Sequence, residues 1–284
     1  MDSSPPLFIK DEHVKDLPEP ALELLETYAN IPAQDVIPHV LTLPRTQVDV
    51  NDYQRNEAFV LHPWPCIGRL RFLCPSLPTY AAYPRILTKL KSDSSAALLD
   101  VGCCFGQDLR KLVLDGVDPS QLAALDLVPE FYEMGKRLFR DGDKLHIDFY
   151  GRDIFDSGAD WEPLRQRFDI IHMTSFLHIW NWRGQVGAAR RIVQFVKPKP
   201  GSLLVGSGLG SVVGEERPAL QGMGVHYRQS EESFARLWKE VGDVTGTKWK
   251  VQSRFHGFQI GQQNQGQGAE DANVGWLTFE VHML

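Results

Sequence analysis

From residue 96 onward the chain alternates between short, continuously apolar runs and longer segments whose apolar residues fall on one side. Continuous apolar runs of about 4–8 residues are typical of strands buried on both faces, and one-sided spacing is typical of helices packed on a sheet. The predicted strands are 96–101, 122–127, 146–155, 168–173 and 202–206. The predicted helices between them are 107–114, 130–139 and 184–196. This order predicts a parallel sheet covered by helices on both faces.

The C-terminal part of the chain carries a different pattern. A helix is predicted over 230–241, and the segments 248–255 and 276–282 alternate apolar and polar residues. Alternation is typical of edge or antiparallel strands. We therefore predict an α/β fold with a mostly parallel seven-stranded sheet and an antiparallel edge. The polar, glycine-rich segment 262–272 is predicted to be a surface loop between the last two strands.

Residues 1–93 show neither pattern over long stretches. A helix is predicted at 19–28, and prolines recur from Pro32 to Pro84, which excludes long regular elements there. We predict an irregular, partly helical N-terminal cap over 1–93. A second domain, over 94–284, contains the sheet.

Composition narrows the class of protein. The 284 residues carry a net charge of −6, and no basic run of the kind that binds a nucleic-acid backbone is present in the sequence. The first residues lack the features of a signal peptide, and no apolar run has the length of a membrane span, so we expect a cytoplasmic protein that does not associate with membranes. The four cysteines lack C-x-x-C spacing and no H-E-x-x-H motif occurs, so we predict free thiols and no metal site.

The first predicted strand ends in an acidic, glycine-containing loop, Asp100-Val101-Gly102-Cys103-Cys104-Phe105-Gly106. Gly102 and Gly106 let the backbone approach a ligand, and the following helix offers free N–H groups to a carboxylate. Dinucleotide-binding loops need a glycine where Cys104 stands, because the backbone there approaches a pyrophosphate. The loop therefore favours S-adenosylmethionine (SAM), which has an amino-acid end and no pyrophosphate, with Asp100 beside its ammonium group. An ordinary glycine turn is the alternative.

Acids follow the second and third predicted strands, at positions where a doubly wound sheet binds its ligands. Asp126, beside Leu127, is placed to accept hydrogen bonds from both ribose hydroxyls. Asp153 is placed to accept from the adenine amino group, with a neighbouring backbone N–H directed at the ring and apolar side chains on either side of it. The alternatives are a solvated acid at a strand end and a turn aspartate.

The segment after the fourth strand is predicted to line the far side of the cofactor, near its transferable methyl group. Thr174 is assigned to the cofactor. His178 is the candidate general base or orienting residue, with a packed or surface histidine as the alternative. Phe176, Trp180 and Trp182 are assigned to a hydrophobic substrate, with core positions as the alternative.

Several stretches resemble fungal secondary-metabolite methyltransferases, and the resemblance is closest to the carboxyl O-methyltransferases of meroterpenoid (polyketide–terpenoid) pathways. The matching stretches are PCIGRLRFL at 65–73, LLDVGCCFGQDLR at 98–110, LDL at 125–127 and LFRD at 138–141. The double cysteine followed by F-G-Q-D is the most specific part. The resemblance implies a Rossmann-like class I methyltransferase fold, SAM held by Asp126-Leu127 and Asp153-Ile154, and S-adenosylhomocysteine (SAH) as the product. It carries over no catalytic residue.

These features predict an O-methyltransferase that converts a carboxylic acid of a small hydrophobic metabolite into its methyl ester. A carboxylate is ionised at pH 7 and needs no base, whereas a phenol would benefit from one, for which His178 is the candidate. Arg55, Arg69 or Arg71 is a candidate partner of the carboxylate, with a surface or structural ion pair as the alternative. Open alternatives are a phenol O-methyltransferase, a SAM-binding enzyme of cyclisation or rearrangement, and a SAM-binding protein without catalysis. The oligomeric state is open, with a homodimer as one alternative.

Overall fold

A computed structural model describes residues 14–42, 61, 64–218, 224–258 and 273–284, and its centre is a seven-stranded sheet. The strands are β1 (Leu98–Val101), β2 (Leu122–Asp126), β3 (Asp148–Gly151), β4 (Ile170–Thr174), β5 (Leu203–Ser211), β6 (Glu215–Pro218), β7 (Val225–Arg228), β8 (Trp249–Gly257) and β9 (Val274–Met283). The order across the sheet is β3-β2-β1-β4-β5-β9-β8. Strand β9 is antiparallel to β5 and β8, and the other pairs are parallel. The predicted fold class is confirmed, including its antiparallel edge.

Helices cover both faces of the sheet. They are α1 (Glu19–Leu22), which continues as a π-helix at Glu23–Tyr28, α2 (Ala33–Thr42), α3 (Pro65–Gly68), α4 (Tyr83–Ser92), α5 (Gln107–Leu114), α6 (Pro129–Leu138), α7 (Trp182–Val193) and α8 (Glu231–Thr245). Leu99 and Val101 lie in the core beneath α7 and α8, whereas Leu98 lies in the core beneath α4 and α5. Successive residues of a strand point to opposite faces, so β1 contributes to both cores. Among the helices of the described segments, none combines the length and apolar character that a membrane crossing requires.

The N-terminal segments pack against one end of the sheet domain. Leu24 and Leu25 of the π-helix lie in a third core with Phe105 of the loop after β1 and Leu138 of α6. The predicted helix at 19–28 is thus present, and it is held by contacts with the elements that follow the first two strands. Helix α4 differs, because it packs directly on the sheet.

The prediction that prolines exclude long elements from this region is wrong for α2. Its ten residues include Pro38 within the helix. A proline inside a helix removes one backbone hydrogen bond and strains the preceding turn. Here Val36 and Val40 are buried in the third core, and this tertiary packing holds the helix together across the proline.

The glycine-rich segment 206–210, which the sequence predicts to be a turn after the fifth strand, is a second correction. It continues β5, paired with β9 as far as Ser211 and Val274. The glycines serve close strand packing, since a Cβ on Gly206 would lie 1.9 Å from the Met173 carbonyl oxygen. The β6–β7 hairpin that follows was not predicted, and the predicted loop at 262–272 lies outside the described residues.

Candidate active site

The carboxyl ends of β1, β2 and β3 lie side by side. Val101 pairs with Leu125, and Asp126 pairs with Gly151. The N–H of Gly102 donates to the Leu125 carbonyl at 2.8 Å. The loop after β1, the acid that ends β2 and the turn after β3 therefore share one edge of the sheet.

The loop after β1 has a strained backbone and very little space around its glycines. Gly102 and Gly106 both have φ of +72°, and Cys104 has φ of +53°. A Cβ on Gly102 would lie 2.9 Å from Cδ2 of Phe176, and a Cβ on Gly106 would lie 2.7 Å from Nη1 of Arg110. Both glycines are therefore required by conformation and by close approach.

Asp126 is half-buried, and backbone hydrogen bonds orient its carboxylate. Oδ2 accepts from the N–H of Cys104 at 2.8 Å, and Oδ1 accepts from the N–H of Val128 at 2.9 Å. A carboxylate oxygen has two lone pairs, so the oriented group can also accept from hydroxyl donors. The neighbouring Leu127 is 56% exposed, which leaves an apolar side chain uncovered at the end of β2.

The turn after β3 differs in detail from the prediction. Asp153 is exposed, and its Oδ1 accepts from the N–H of Phe155 at 2.9 Å, as in an aspartate turn. Ile154 is 5% exposed and lies in the core, whereas Phe155 is 44% exposed. The Phe155 ring meets the Trp180 ring edge to face at 5.1 Å, and Trp180 meets Phe176 at 5.0 Å. The apolar surface at this edge therefore comes from Phe155 and not from the side chain of Ile154.

Two family models match the chain. A model described as the meroterpenoid methyltransferase N-terminal domain matches residues 9–73, and a methyltransferase domain model matches residues 98–199. The O-methyltransferase atr3 of Stereocaulon alpinum is 36% identical over 269 residues, which cover 92% of this chain and 71% of that protein. The chain belongs to this family of fungal secondary-metabolite methyltransferases. The resemblance predicted from the loop and strand-end motifs is confirmed, and the protein is a SAM-dependent methyltransferase with a Rossmann-like class I fold.

Two further proteins illustrate the range of similarity. The Asnovolin E/Chermesin D methyltransferase nvfJ of Aspergillus novofumigatus is 31% identical to this methyltransferase, with 82% of this chain and 80% of that protein covered. The solved structure of the 1,6-didemethyltoxoflavin-N1-methyltransferase of Burkholderia thailandensis, bound to its substrate and SAH, is 18% identical with a TM-score of 0.46. That match covers 72% of this chain and 78% of the other.

SAM is the cofactor of this methyltransferase, and the edge formed by β1, β2 and β3 fits it. The exposed apolar side chains of Leu127 and Phe155 would contact the adenine ring. The oriented carboxylate of Asp126 would accept from the ribose hydroxyls. Helix α5 begins at Gln107, directly after Gly106, so its first N–H groups would address the SAM carboxylate. The assignment of SAM to these individual residues, and to Asp153, stays a prediction.

Asp100 belongs to a buried cluster rather than to the exposed edge. It is 2% exposed, and its Oδ1 lies 2.8 Å from Nδ1 of His172. The polar atoms of Asp100, His172 and Asp108 lie within 4.8 Å of one another. Both imidazole nitrogens have partners, since Nε2 lies 2.9 Å from Oγ1 of Thr174, so we interpret the group as a hydrogen-bonded charge cluster and not as a metal site. This arrangement gives no support to a direct contact between Asp100 and the SAM ammonium group.

His178 is half-buried in cationic surroundings. Its Nδ1 has no hydrogen-bond partner in the described part of the chain, and its ring lies 6.5 Å from that of Trp276. Burial, together with the nearby charges of His226, Arg228 and Arg71, lowers the pKa of His178 to about 3. The imidazole is therefore neutral at physiological pH and weakly basic.

One of the predicted substrate contacts, Trp182, is not brought together with the others. Trp182 packs edge to face on Tyr227 at 5.1 Å, and its indole N–H donates to Glu240 of α8 at 2.9 Å. It thus joins the helices on one face of the sheet instead of the aromatic pair formed by Phe176 and Trp180. Arg55 lies outside the described residues.

A row of three hydroxyls at the carboxyl end of β4 and in the middle of β5 was not predicted as a unit. The Tyr80 hydroxyl lies 2.7 Å from that of Thr174 and 2.8 Å from that of Ser207. Thr174 was assigned from its place after the fourth strand. Ser207 was predicted only as part of a glycine-rich turn over the active-site face, and Tyr80 carried no signal. Tyr80 precedes α4 in the region predicted as a cap, and Ser207 lies in the segment predicted as a turn.

Proposed function

We propose that this methyltransferase transfers the SAM methyl group to a carboxylate oxygen of a small hydrophobic fungal metabolite and so forms a methyl ester. SAM supplies a methyl group on a positively charged sulfur, and the protein must hold the attacking oxygen in line with it. One observation carries the proposal: Arg71 and Arg228 lie near His178, and Arg69, next to Arg71, has a buried guanidinium nitrogen with no hydrogen-bond partner among the described residues.

The cationic region is formed by Arg69 and Arg71, which precede β1, and by Arg228, the last residue of β7. Nη2 of Arg69 is buried and has no hydrogen-bond partner among the described residues. The Arg71 guanidinium lies 5.1 Å from the centre of the Trp276 ring, which also contacts His178. Burial lowers the pKa of Arg69 and of Arg71, and the proximity of Arg71 lowers that of Arg69 further.

Such an arrangement favours an anionic ligand. A buried N–H donor that lacks a hydrogen-bond partner, such as Nη2 of Arg69, is costly, and an anion relieves that cost. A carboxylate also matches the paired donors of a guanidinium group. Because Arg69 and Arg71 were candidates from the sequence, we propose that they bind the carboxylate that is methylated, which leaves the aromatic rings of Phe176 and Trp180 for the hydrophobic skeleton.

The weak basicity of His178 supports the same acceptor. A general base works best when its pKa lies near the operating pH, and the pKa of His178 is about 3. A phenol, with a pKa near 10, would need to lose its proton, whereas a carboxylic acid is already ionised at pH 7. A carboxylate acceptor therefore requires only binding and alignment from this chain.

The relatives support an oxygen acceptor in a fungal secondary metabolite. The relatives atr3 and phiE are both named O-methyltransferases, and the N-terminal model is that of meroterpenoid methyltransferases. We infer a small-molecule substrate of that kind. The homodimer and the cytoplasmic location stay predictions.

The test uses methyl-labelled SAM with pairs of acids and phenols that share one aromatic or terpenoid skeleton. Label that mild alkali releases as methanol identifies an ester, and label that survives alkali identifies an ether. We expect alkali-labile label from the acids alone. Label confined to alkali-stable ethers contradicts the proposal, and a product of unchanged mass points to the rearrangement alternative. The Asp126→Ala variant serves as the control for transfer that depends on bound SAM.

A further inference from the structure

The row of hydroxyls formed by Thr174, Tyr80 and Ser207 continues inward to a buried histidine. Nε2 of His172 lies 2.9 Å from Oγ1 of Thr174, which lies 2.7 Å from Oη of Tyr80. The Tyr80 oxygen in turn lies 2.8 Å from Oγ of Ser207. Four side chains from β4, β5 and the segment before α4 thus form one chain of short hydrogen bonds.

The inner end of this chain is charged. His172 is 2% exposed and faces Asp100 from β1 and Asp108 from α5. The other groups against its ring are Ser76, whose Oγ lies 3.4 Å from Nε2, and the Tyr80 ring at 6.1 Å. Burial alone would lower the pKa of His172, but the carboxylates of Asp100 and Asp108 outweigh it and raise that pKa. The cluster therefore favours the imidazolium form.

The charge on His172 fixes the direction of every bond that follows. An imidazolium is a donor at both nitrogens, so Nε2 donates to Thr174. A hydroxyl has a single hydrogen, so Thr174 donates to Tyr80 and Tyr80 donates to Ser207. The Ser207 hydrogen is then left for an acceptor outside the chain, and no such acceptor lies among the described residues.

The outer end of the chain lies where a ligand is expected. Thr174 is the last residue of β4 and is half-buried, and Ser207 pairs with it on β5 and is 9% exposed. Ligands of doubly wound sheets bind beside the carboxyl ends of the strands. Tyr80 is 8% exposed and closes the row from the side of α4.

We propose that this chain is an oriented relay in which Ser207 donates a hydrogen bond to a ligand carboxylate at the carboxyl end of β4, beside the middle of β5, with His172 and Tyr80 as positioning residues. Two carboxylates have this chemistry, that of the amino-acid end of SAM and that of the methyl acceptor. The second of these rests on the proposed function. A row of hydrogen-bond donors can stabilise an anion. Removal of a phenol proton would instead require that the last group of the row accept a proton.

The test compares Ser207→Ala and Tyr80→Phe with Tyr83→Phe as a matched control. Tyr83 is a buried tyrosine like Tyr80, but its hydroxyl donates to the half-buried Asp115 and lies outside the relay. SAH binding is measured by calorimetry, and KM and kcat are measured for the acid that gives the most alkali-labile label. A hydrogen bond to a charged group supports an expected loss of about tenfold or more. A loss in SAH affinity assigns the carboxylate to the cofactor, and a rise in KM at unchanged SAH affinity assigns it to the acceptor.

The pH dependence tests the direction of the relay. The donor form exists below the pKa of His172, so the affinity that depends on Ser207 is lost as the pH rises through that pKa. We expect the wild-type affinity to fall as the pH rises above the ordinary histidine value, near 6.5, and we expect that fall to be missing in Ser207→Ala. A structural role for Ser207 would lower the affinity equally at every pH.

Two outcomes overturn the relay. The first is that Ser207→Ala and Tyr80→Phe both have an SAH affinity and an acceptor KM within about twofold of the Tyr83→Phe values. The second is that Ser207→Ala shows the same loss of affinity at alkaline pH as the wild type. Methylation of phenols alone would contradict the proposed function instead, and the SAH measurements would still decide whether Ser207 binds the cofactor.

Discussion

Arg110 and Asp141 form a two-pronged ion pair beneath the glycine loop, with Nε to Oδ2 at 2.7 Å and Nη2 to Oδ1 at 2.8 Å. Both side chains are buried, at 0% and 2% exposure. Nη1 of Arg110 donates to the Phe105 carbonyl at 2.6 Å, and the Tyr28 hydroxyl donates to Asp141 at 2.8 Å. The pair thus joins the glycine loop to the N-terminal helices. Arg110 is the last residue of the motif FGQDLR and Asp141 the last residue of LFRD, so the pair gives a physical reason for both motifs.

Replacement of Arg110 by Met should destabilise the fold strongly. The variant leaves Asp141 buried without its counter-charge, and breaking one partner of a buried pair costs about 3–5 kcal/mol. Urea unfolding measures the change in the free energy of unfolding. Lys239→Met is the matched control, because its pair with Asp243 is exposed and should contribute less than about 1 kcal/mol. An Arg110→Met variant as stable as the control would mean that the pair does not anchor the loop.

Replacement of Asp126 by Ala should weaken SAH binding by about tenfold or more, since an ionised acceptor of hydroxyl hydrogen bonds contributes about 1.5–3 kcal/mol. Calorimetry with SAH measures the dissociation constant. Asp118→Ala is the control, because Asp118 caps the turn at the opposite end of the same strand. Equal affinity in the two variants would remove Asp126 from the cofactor site.

The strand ends could be predicted because their sequence signals are local. Buried strands of a parallel sheet are continuously apolar, so β1, β2 and β4 were located within two residues of their observed starts and ends. The acid Asp126 and the glycine loop then fall at one edge of the sheet by topology alone. Fold and cofactor class follow from these few positions.

The other side of the site could not be predicted because it depends on pairing between distant segments. Ser207 lies in a run of glycines that is typical of turns, and only its pairing with β9 extends the strand there. Tyr80 reaches Ser207 from 127 positions away, and no local pattern encodes that contact. Likewise, periodicity does not reveal that Ile154 faces the core while Phe155 faces outward in an irregular turn.

Replacement of His178 by Asn should leave methyl transfer to a carboxylate largely intact. With a pKa of about 3 the wild-type imidazole stays neutral between about pH 5 and pH 9, so its loss removes no titrating base. We expect kcat within about threefold of wild type and the same shape of the kcat profile against pH. A general base contributes about 100-fold to 10,000-fold, so a fall of that size with loss of one limb of the profile would favour a phenol acceptor.

Asp169 should make the fold sensitive to acid. Its buried carboxylate lies 2.6 Å from the ammonium groups of both Lys197 and Lys199 and accepts from the Ala97 N–H at 3.1 Å. Burial would raise the pKa of Asp169, but these contacts outweigh it and lower the pKa to about 2. A pKa that is lower in the folded state gives stability that is present above the unfolded value, near 3.9, and is lost as the pH falls towards 2.

The free energy of unfolding, measured with urea between about pH 7 and pH 2.5, should therefore fall as the pH falls. Asp169→Asn should lessen that fall, because the variant is already less stable than the wild type at pH 7. Glu162→Gln removes a carboxylate from an exposed pair and should keep the wild-type slope. An unchanged slope in Asp169→Asn would place the acid-sensitive carboxylate elsewhere.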